Sequence, residues 1–163
     1  MDNPLRRNTI VIIPARGGSK RLPRKNLVDF FGKPMIAWTI QAAVLSGVAD
    51  KIVVSTDDED IAEVSKKYGA EVPFFRDSYA DDYSSVSQAT VYTLNRIEKD
   101  CNEYYDNVIQ LMANCPLRSS HTIRDFFDIF LNGEANFQIS CFKYGWMNPW
   151  WAVTINDKGM PER

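Results

Sequence analysis

Residues Val11–Asn26 read Val-Ile-Ile-Pro-Ala-Arg-Gly-Gly-Ser-Lys-Arg-Leu-Pro-Arg-Lys-Asn. With Thr9 and Ile10 ahead of them, they open on a continuous β-branched run, Thr9–Ile13, which suits a strand buried on both faces of a parallel sheet. The run then breaks into a basic, glycine-bearing loop. Five of the chain's 19 Lys and Arg residues fall within Arg16–Lys25, and no acid lies between Asp2 and Asp29. The whole chain carries 21 acidic residues and a net charge of -2. A cationic loop on a slightly acidic chain is a local feature that fits a local anion. The strand end therefore points to phosphate chemistry.

Outward from this stretch, strands and helices alternate. Pro34–Ser46 has apolar residues at Met35, Ile36, Trp38, Thr39, Ala42, Ala43 and Leu45, near helical spacing, with Pro34 in the first turn and Gly47 at the end. Lys51–Val54 predicts a strand, and Asp58–Tyr68 a helix with Ile61, Ala62, Val64 and Ser65 inward. Val72–Phe75 predicts a third strand. Ser85–Lys99 is an amphipathic helix carrying Ala89, Val91, Tyr92, Leu94 and Ile97. Asn107–Met112 is strand-like. Ser119 or Ser120 caps a helix reaching Leu131, with Phe126, Phe127, Ile129 and Phe130 on a wide apolar surface. Phe137–Phe142 and Trp150–Ile155 complete the series as strands. The alternation implies an α/β fold of three layers, α/β/α and Rossmann-like, with a mostly parallel sheet. Ligands bind such sheets beyond the carboxyl ends of the strands, where the basic loop lies.

Bulk properties narrow the classes. A chain of 163 residues, 45% hydrophobic and 25% charged, is one domain with a sizeable core. At a pI near 5.4 it lacks the broad basic face of a nucleic-acid binder. No apolar run approaches the roughly 20 residues of a membrane span, and Thr9–Ala15 reads as a core strand and not as a signal peptide. Cys101, Cys115 and Cys141 form no metal-ligand pattern, and free thiols fit a cytoplasmic location. Cys115 is read as a buried structural thiol, and His121 as a surface helix residue.

Four segments have the residue types for chemistry. In Ala15–Asn26, Gly17 and Gly18 let backbone N–H groups approach a phosphate, and Arg16, Lys20, Arg21, Arg24 and Lys25 supply charge. The spacing matches neither a P-loop nor a dinucleotide fingerprint, and a solvated basic loop is the plain alternative. In Val53–Glu59, Asp57 and Asp58 stand where a metal or a ribose is often held, or where a helix needs an N-cap. Arg76–Ser87 offers Arg76, Asp81, Asp82, Ser84 and Ser85 to a ligand, or Asp82 or Ser84 as a helix cap. In Leu111–Arg118, Asn114 and Arg118 are expected to face one cleft. The Trp146–Trp151 cluster is read as core or a dimer face ahead of a sugar platform.

Taken together, these residues resemble the acylneuraminate cytidylyltransferase family, the CMP-sialic acid synthetases with their Kdo, pseudaminic and legionaminic acid relatives. The resemblance rests on Ile13–Asn26 followed by Gly32-Lys33-Pro34-Met35. Val54-Ser55-Thr56-Asp57, Gly69-Ala70-Glu71-Val72-Pro73, Arg76, Asp82, Ser84-Ser85 and Pro116-Leu117-Arg118 follow in the family's order. It implies a nucleotidyltransferase of the nucleotide-diphospho-sugar transferase fold. That enzyme joins CTP to the anomeric hydroxyl of an α-keto sugar acid with Mg²⁺ assisting and releases pyrophosphate. By the same resemblance Pro14, Ala15 and Arg16 lie against the cytosine. Arg16, Gly17, Gly18, Ser19, Lys20, Lys25 and Asn26 line the triphosphate, with Arg16, Lys20 and Lys25 as the catalytic cations. Arg76 and Ser84 or Ser85 lie near the base and ribose, and Gln110, Asn114 and Arg118 near the sugar.

Two departures stand out. The family's strand end reads Gln-Pro-Thr-Ser-Pro-Leu-Arg, whereas Met112-Ala113-Asn114-Cys115 precedes Pro116 here. Met112 takes the glutamine position, and Gln110, two residues earlier, points to the same side. A sugar other than an ordinary sialic acid is expected. The chain also ends at Met160-Pro161-Glu162-Arg163, before the family's metal-binding Asp-x-Asp motif. Residues 1–163 are thus read as one nucleotide-binding domain, C-terminally truncated relative to the family, with metal ligands unknown and catalysis weak or absent. A homodimer is one assembly the resemblance suggests. The competing functions are an inactive nucleotide-binding or interaction module and a nucleotidyltransferase for another sugar.

Overall fold

The computed structural model describes residues 8–20, 22–81, 83–141, 143, 145 and 154–162. Its centre is β1, Thr9–Pro14, the middle strand of a three-stranded parallel sheet. β4 (Lys51–Ser55) pairs on one side, with Ile12 opposite Val53, and β5 (Asn107–Gln110) on the other, with Ile12 opposite Gln110. Ile10 to Ile13 are fully buried, as an unbroken β-branched run requires when both faces are covered.

Alternation along β1 sends its side chains into two cores. Val11 and Ile13 pack with Ile36 and Ile40 of α1 (Met35–Ser46), Ile61 of α2 (Glu59–Lys67), and Ile123 and Phe127 of α4 (Ser120–Leu131). Ile10, Ile12 and Val53 pack on the other side with Ile97 of α3 (Val86–Cys101). The described chain is thus a three-layer α/β/α unit. A short hairpin, β2 (Asp29–Phe30) and β3 (Lys33–Pro34), leads from the basic loop into α1. Its turn residues Phe31 and Gly32 both have positive φ, at 52° and 82°, as tight hairpins of this hand require.

The helix ends follow local chemistry. Gly47 closes α1 at φ 62°, and Asp58 caps α2 through the Ile61 N–H. Ser85 with Gln88 forms a capping box on α3, so the cap is neither Asp82, which lies outside the described residues, nor Ser84. Ser119 caps α4.

Several expectations fail for tertiary reasons. Val72–Phe75 forms no strand. Glu71 alone bridges Val53, and Pro73 has no N–H with which to extend the ladder. Phe137–Cys141 is not a strand either, and Phe137 and Ile139 are exposed. Phe142 and Trp150–Val153 lie outside the described residues, as does the tryptophan cluster. Thr154–Ile155 (β6) is a strand, but it pairs antiparallel with β7 (Pro161–Glu162) and not with the main sheet. On the helices, Leu45, Val91 and Ile129 face outward, while Ile40, Thr93 and Ile123 take the core positions. Cys115 is half-buried, not buried, and the three cysteines are free thiols.

Away from the loop, Lys51 at the start of β4 binds Glu103 at 2.7 Å and Glu71 at 3.2 Å, and the Tyr105 hydroxyl donates to Glu103 at 2.6 Å. Burial lowers the Lys51 pKa, but its bonds to Glu103 and Glu71 outweigh this and raise it. Lys51 first and Tyr105 second hold the Glu103 carboxyl below its ordinary 4.5. A depressed folded pKa contributes stability that is present above the unfolded value and lost as pH falls through the folded one. A Glu103→Gln chain is therefore expected to show a shallower loss of Tm below pH 4.5 than the parent, read by thermal melts across an acid pH series.

Candidate nucleotide site

The chain passes from β1 to β4 on one side and then crosses to β5 on the other, which opens a crevice beyond the carboxyl ends of β1 and β5. A cleft of about 750 Å³ lies there. Pro14, Ala15, Arg16, Ser19, Lys20, Lys25 and Asn26 line it from the basic loop. Arg76, Ser84 and Ser85 line it from the segment before α3, and Met112, Ala113 and Asn114 from beyond β5. The three loop cations and Arg76, far apart in sequence, thus line one cavity. Asp81, one of the residues expected to face a ligand, lines it as well, and so do Tyr79, Leu22, Val86 and Ala89, which the sequence does not mark as site residues. For Val86 and Ala89 the signal was the i, i+3 spacing at the start of a capped helix.

The loop is braced from behind. Asn26, 5% exposed, donates from Nδ2 to the Arg16 carbonyl at 3.1 Å and ties the loop's two ends together. The Ala15 N–H reaches the Ser55 carbonyl at 2.9 Å. Arg24 turns away to Asp60 at 2.5 Å and Asp58 at 3.4 Å, so it anchors the loop to the start of α2. Arg21 lies outside the described residues.

Some expected roles change. Gly17 and Gly18 do not line the cleft, and the Gly17 N–H is already committed to Asp57 Oδ1 at 2.9 Å. Gly17 is needed for packing: a Cβ there would meet Asp58 Oδ2 at 2.5 Å and Asp58 Cβ at 2.9 Å. Asp58 is the cap of α2, and Asp57 and Asp58 are also absent from the cleft wall. The Ser84 N–H and hydroxyl both bond Asp81, and the Ser85 N–H bonds Gln88. Those amides are closed off from a ligand. The Ser85 hydroxyl accepts from the Gln88 N–H and keeps its own proton to donate. The Ser84 hydroxyl first, then the Ser84 and Tyr83 N–H groups, hold the Asp81 carboxyl below its ordinary value.

Gln110 also stays out of the cleft wall, because its Oε1 accepts from the Thr90 hydroxyl at 2.8 Å. Arg118 is not part of the wall either. The Pro116 turn ends the strand alternation, and the Arg118 Nη1 is buried with no hydrogen-bond partner among the described residues. His121 is exposed, beside Asp125 at 3.4 Å, as a surface helix residue.

Arg76 is the most constrained cation. It is 4% exposed, its Nη1 reaches Ser55 Oγ at 3.4 Å, and its Nε has no partner among the described residues. Burial lowers its pKa most; Asp57 opposes this and Arg16 adds to it. A buried guanidinium with donors to spare is a receptor for an anion or a polar acceptor. Among the described residues no three His, Cys, Asp or Glu side chains gather, and Asp81 is the acidic residue in the cleft wall.

A family model described as Cytidylyltransferase matches residues 10–145, which include the whole cleft wall. The chain belongs to the cytidylyltransferase family. Among its relatives is a pseudaminic acid cytidylyltransferase of Campylobacter jejuni, 45% identical over 136 residues, 83% of this chain and 58% of that protein. A CMP-N,N'-diacetyllegionaminic acid synthase of Legionella pneumophila is 38% identical over 92% of this chain and 64% of its own length. The chain thus spans less than two thirds of these cytidylyltransferases. A CMP:2-keto-3-deoxy-manno-octonic acid synthetase solved with CTP superposes with a TM-score of 0.63 at 25% identity, covering 76% of this chain and 47% of that one. No described helix is long and apolar enough to cross a membrane.

Proposed function

We propose that the cleft binds CTP and serves transfer of CMP to the anomeric hydroxyl of an α-keto sugar acid of the sialic, pseudaminic, legionaminic or Kdo type. The observation that carries this is the convergence of Arg16, Lys20, Lys25 and Arg76 on one cleft at the sheet's switch point. The named relatives act on such acids, and a solved relative holds CTP. In the reaction the anomeric oxygen attacks the α-phosphorus. The bond from that phosphorus to its bridging oxygen breaks, pyrophosphate leaves with the electron pair, and the hydroxyl proton passes to solvent. Charge grows on the departing pyrophosphate, where fixed cations stabilise it most. Arg16, Lys20 and Lys25 take that part. Arg76 and the Ser85 hydroxyl hold the base and ribose, and Asn114 meets the sugar. The Mg²⁺ that the family resemblance implies would add charge neutralisation on the phosphates, and among the described residues no three His, Cys, Asp or Glu side chains gather to hold it.

A second reading is nucleotide binding without turnover. Isothermal titration with CTP, UTP and GTP, joined to a pyrophosphate-release assay over several sugar acids, tests both. CTP is expected to bind at least about tenfold more tightly than the other two, and less tightly as salt rises. Binding without pyrophosphate release selects the second reading, and equal affinity for all three nucleotides defeats the first.

A further inference from the structure

Asp57 stands past the end of β4 and does not line the cleft. Capping of α2 falls to Asp58, which accepts from the Ile61 N–H at 3.0 Å. Asp57 Oδ1 instead accepts the Gly17 N–H at 2.9 Å. That amide follows Arg16 directly, so the bond holds the peptide from which the Arg16 side chain departs. Asp57 acts on Arg76 as well: its charge raises the guanidinium's pKa, against burial and Arg16. A carboxylate-to-amide bond is charge-assisted, short and directional.

We propose that Asp57 is a positioning residue, which fixes through the Gly17 N–H the backbone that aims Arg16 into the cleft. This rests on reading the cleft as a triphosphate site. It gives the acid after β4 a role distinct from metal ligand, ribose acceptor or helix cap. Its effect is expected on the phosphates, because the loop it braces carries the loop cations.

The test titrates CTP and inorganic tripolyphosphate into the 163-residue chain and its Asp57→Ala and Asp57→Asn variants. Hydrogen exchange is followed at the Gly17 amide, and thermal melts check that each variant is folded. Asp57→Ala is expected to weaken both ligands about tenfold and to release the Gly17 amide to exchange. Asp57→Asn keeps an acceptor oxygen and is expected to return affinity to within about threefold of the parent. A general structural role would not be rescued in this pattern. Unchanged affinity in Asp57→Ala overturns the proposal, as does Asp57→Asn binding as weakly as Asp57→Ala. If the parent binds neither ligand, the triphosphate reading falls by itself. Gly17 protection that survives Asp57→Ala then overturns the positioning role separately.

Discussion

A Gly17→Ala chain is expected to bind CTP about 10- to 100-fold more weakly than the parent, because moving Arg16 off the cleft forfeits hydrogen bonds to a charged group. The added Cβ would lie 2.5 Å from Asp58 Oδ2, 2.9 Å from its Cβ and 3.1 Å from its Cγ. Rotating the carboxylate relieves only the first contact. The Asp58 Cβ cannot retreat without moving the start of α2, where Asp58 also caps Ile61. The loop must therefore back away, which loosens the Gly17–Asp57 bond and moves Arg16 off the cleft wall. Asp58→Gly removes every atom the new methyl would strike, and glycine at an N-cap costs only about a few tenths of a kcal/mol. The double variant is expected to recover most of the lost affinity. Titration of the four proteins of this cycle checks it. A double variant no better than Gly17→Ala alone would show that the clash is not the cause.

An Arg76→Met chain is expected to change stability and binding in opposite directions. Arg76 is 4% exposed, with a long bond to Ser55 and an Nε that has no partner among the described residues. Removing an incompletely partnered buried cation in favour of an apolar side chain is neutral or stabilising in many proteins. Its Tm should therefore hold or rise. Ligand affinity should fall about 10- to 100-fold, the worth of hydrogen bonds to a charged donor. Such a trade of stability for function is common at binding sites. Melting and CTP titration on the same preparation decide the matter. A large fall in Tm with CTP affinity intact would make Arg76 a structural residue and remove it from the site.

How much of this was legible before the structure depends on the range of the interactions involved. The strand Thr9–Pro14 and the α2 and α4 caps are local events, settled by β-branching and by side chains that reach their own backbone, whereas the α3 cap is Ser85 and not the expected Asp82 or Ser84. Helix faces were read less well. In α1 apolar residues occur nearly all round, so composition did not say that Leu45 would face out while Ile40 went in. In α3 the inner face includes Thr90 and Thr93, whose hydroxyls bond Val86 and Ala89 carbonyls one turn back and so enter a core without cost. Val72–Phe75 had strand composition but a proline at the position where pairing would continue.

The same division runs through the site. The charge of the Arg16–Lys25 loop and its place after a strand were readable, and so was the family likeness of residues 10–145. The committed or open state of each donor was not. Spacing could not say that the Gly17 amide belongs to Asp57, Gln110 to Thr90 and Ser84 to Asp81. Nor could it bring Arg76 to the loop cations, or put Asn114 in the wall and leave Arg118 out.

By itself the sequence determined the alternating α/β order, the buried central strand and an anion-seeking loop at its end. Those follow from period, β-branching and local charge, which act over a few residues. Only the tertiary structure decided which cations share the cleft and which polar groups remain free for a ligand. Hydrogen bonds between elements some 20 to 40 residues apart use up donors one by one, and no local pattern records which partner takes them.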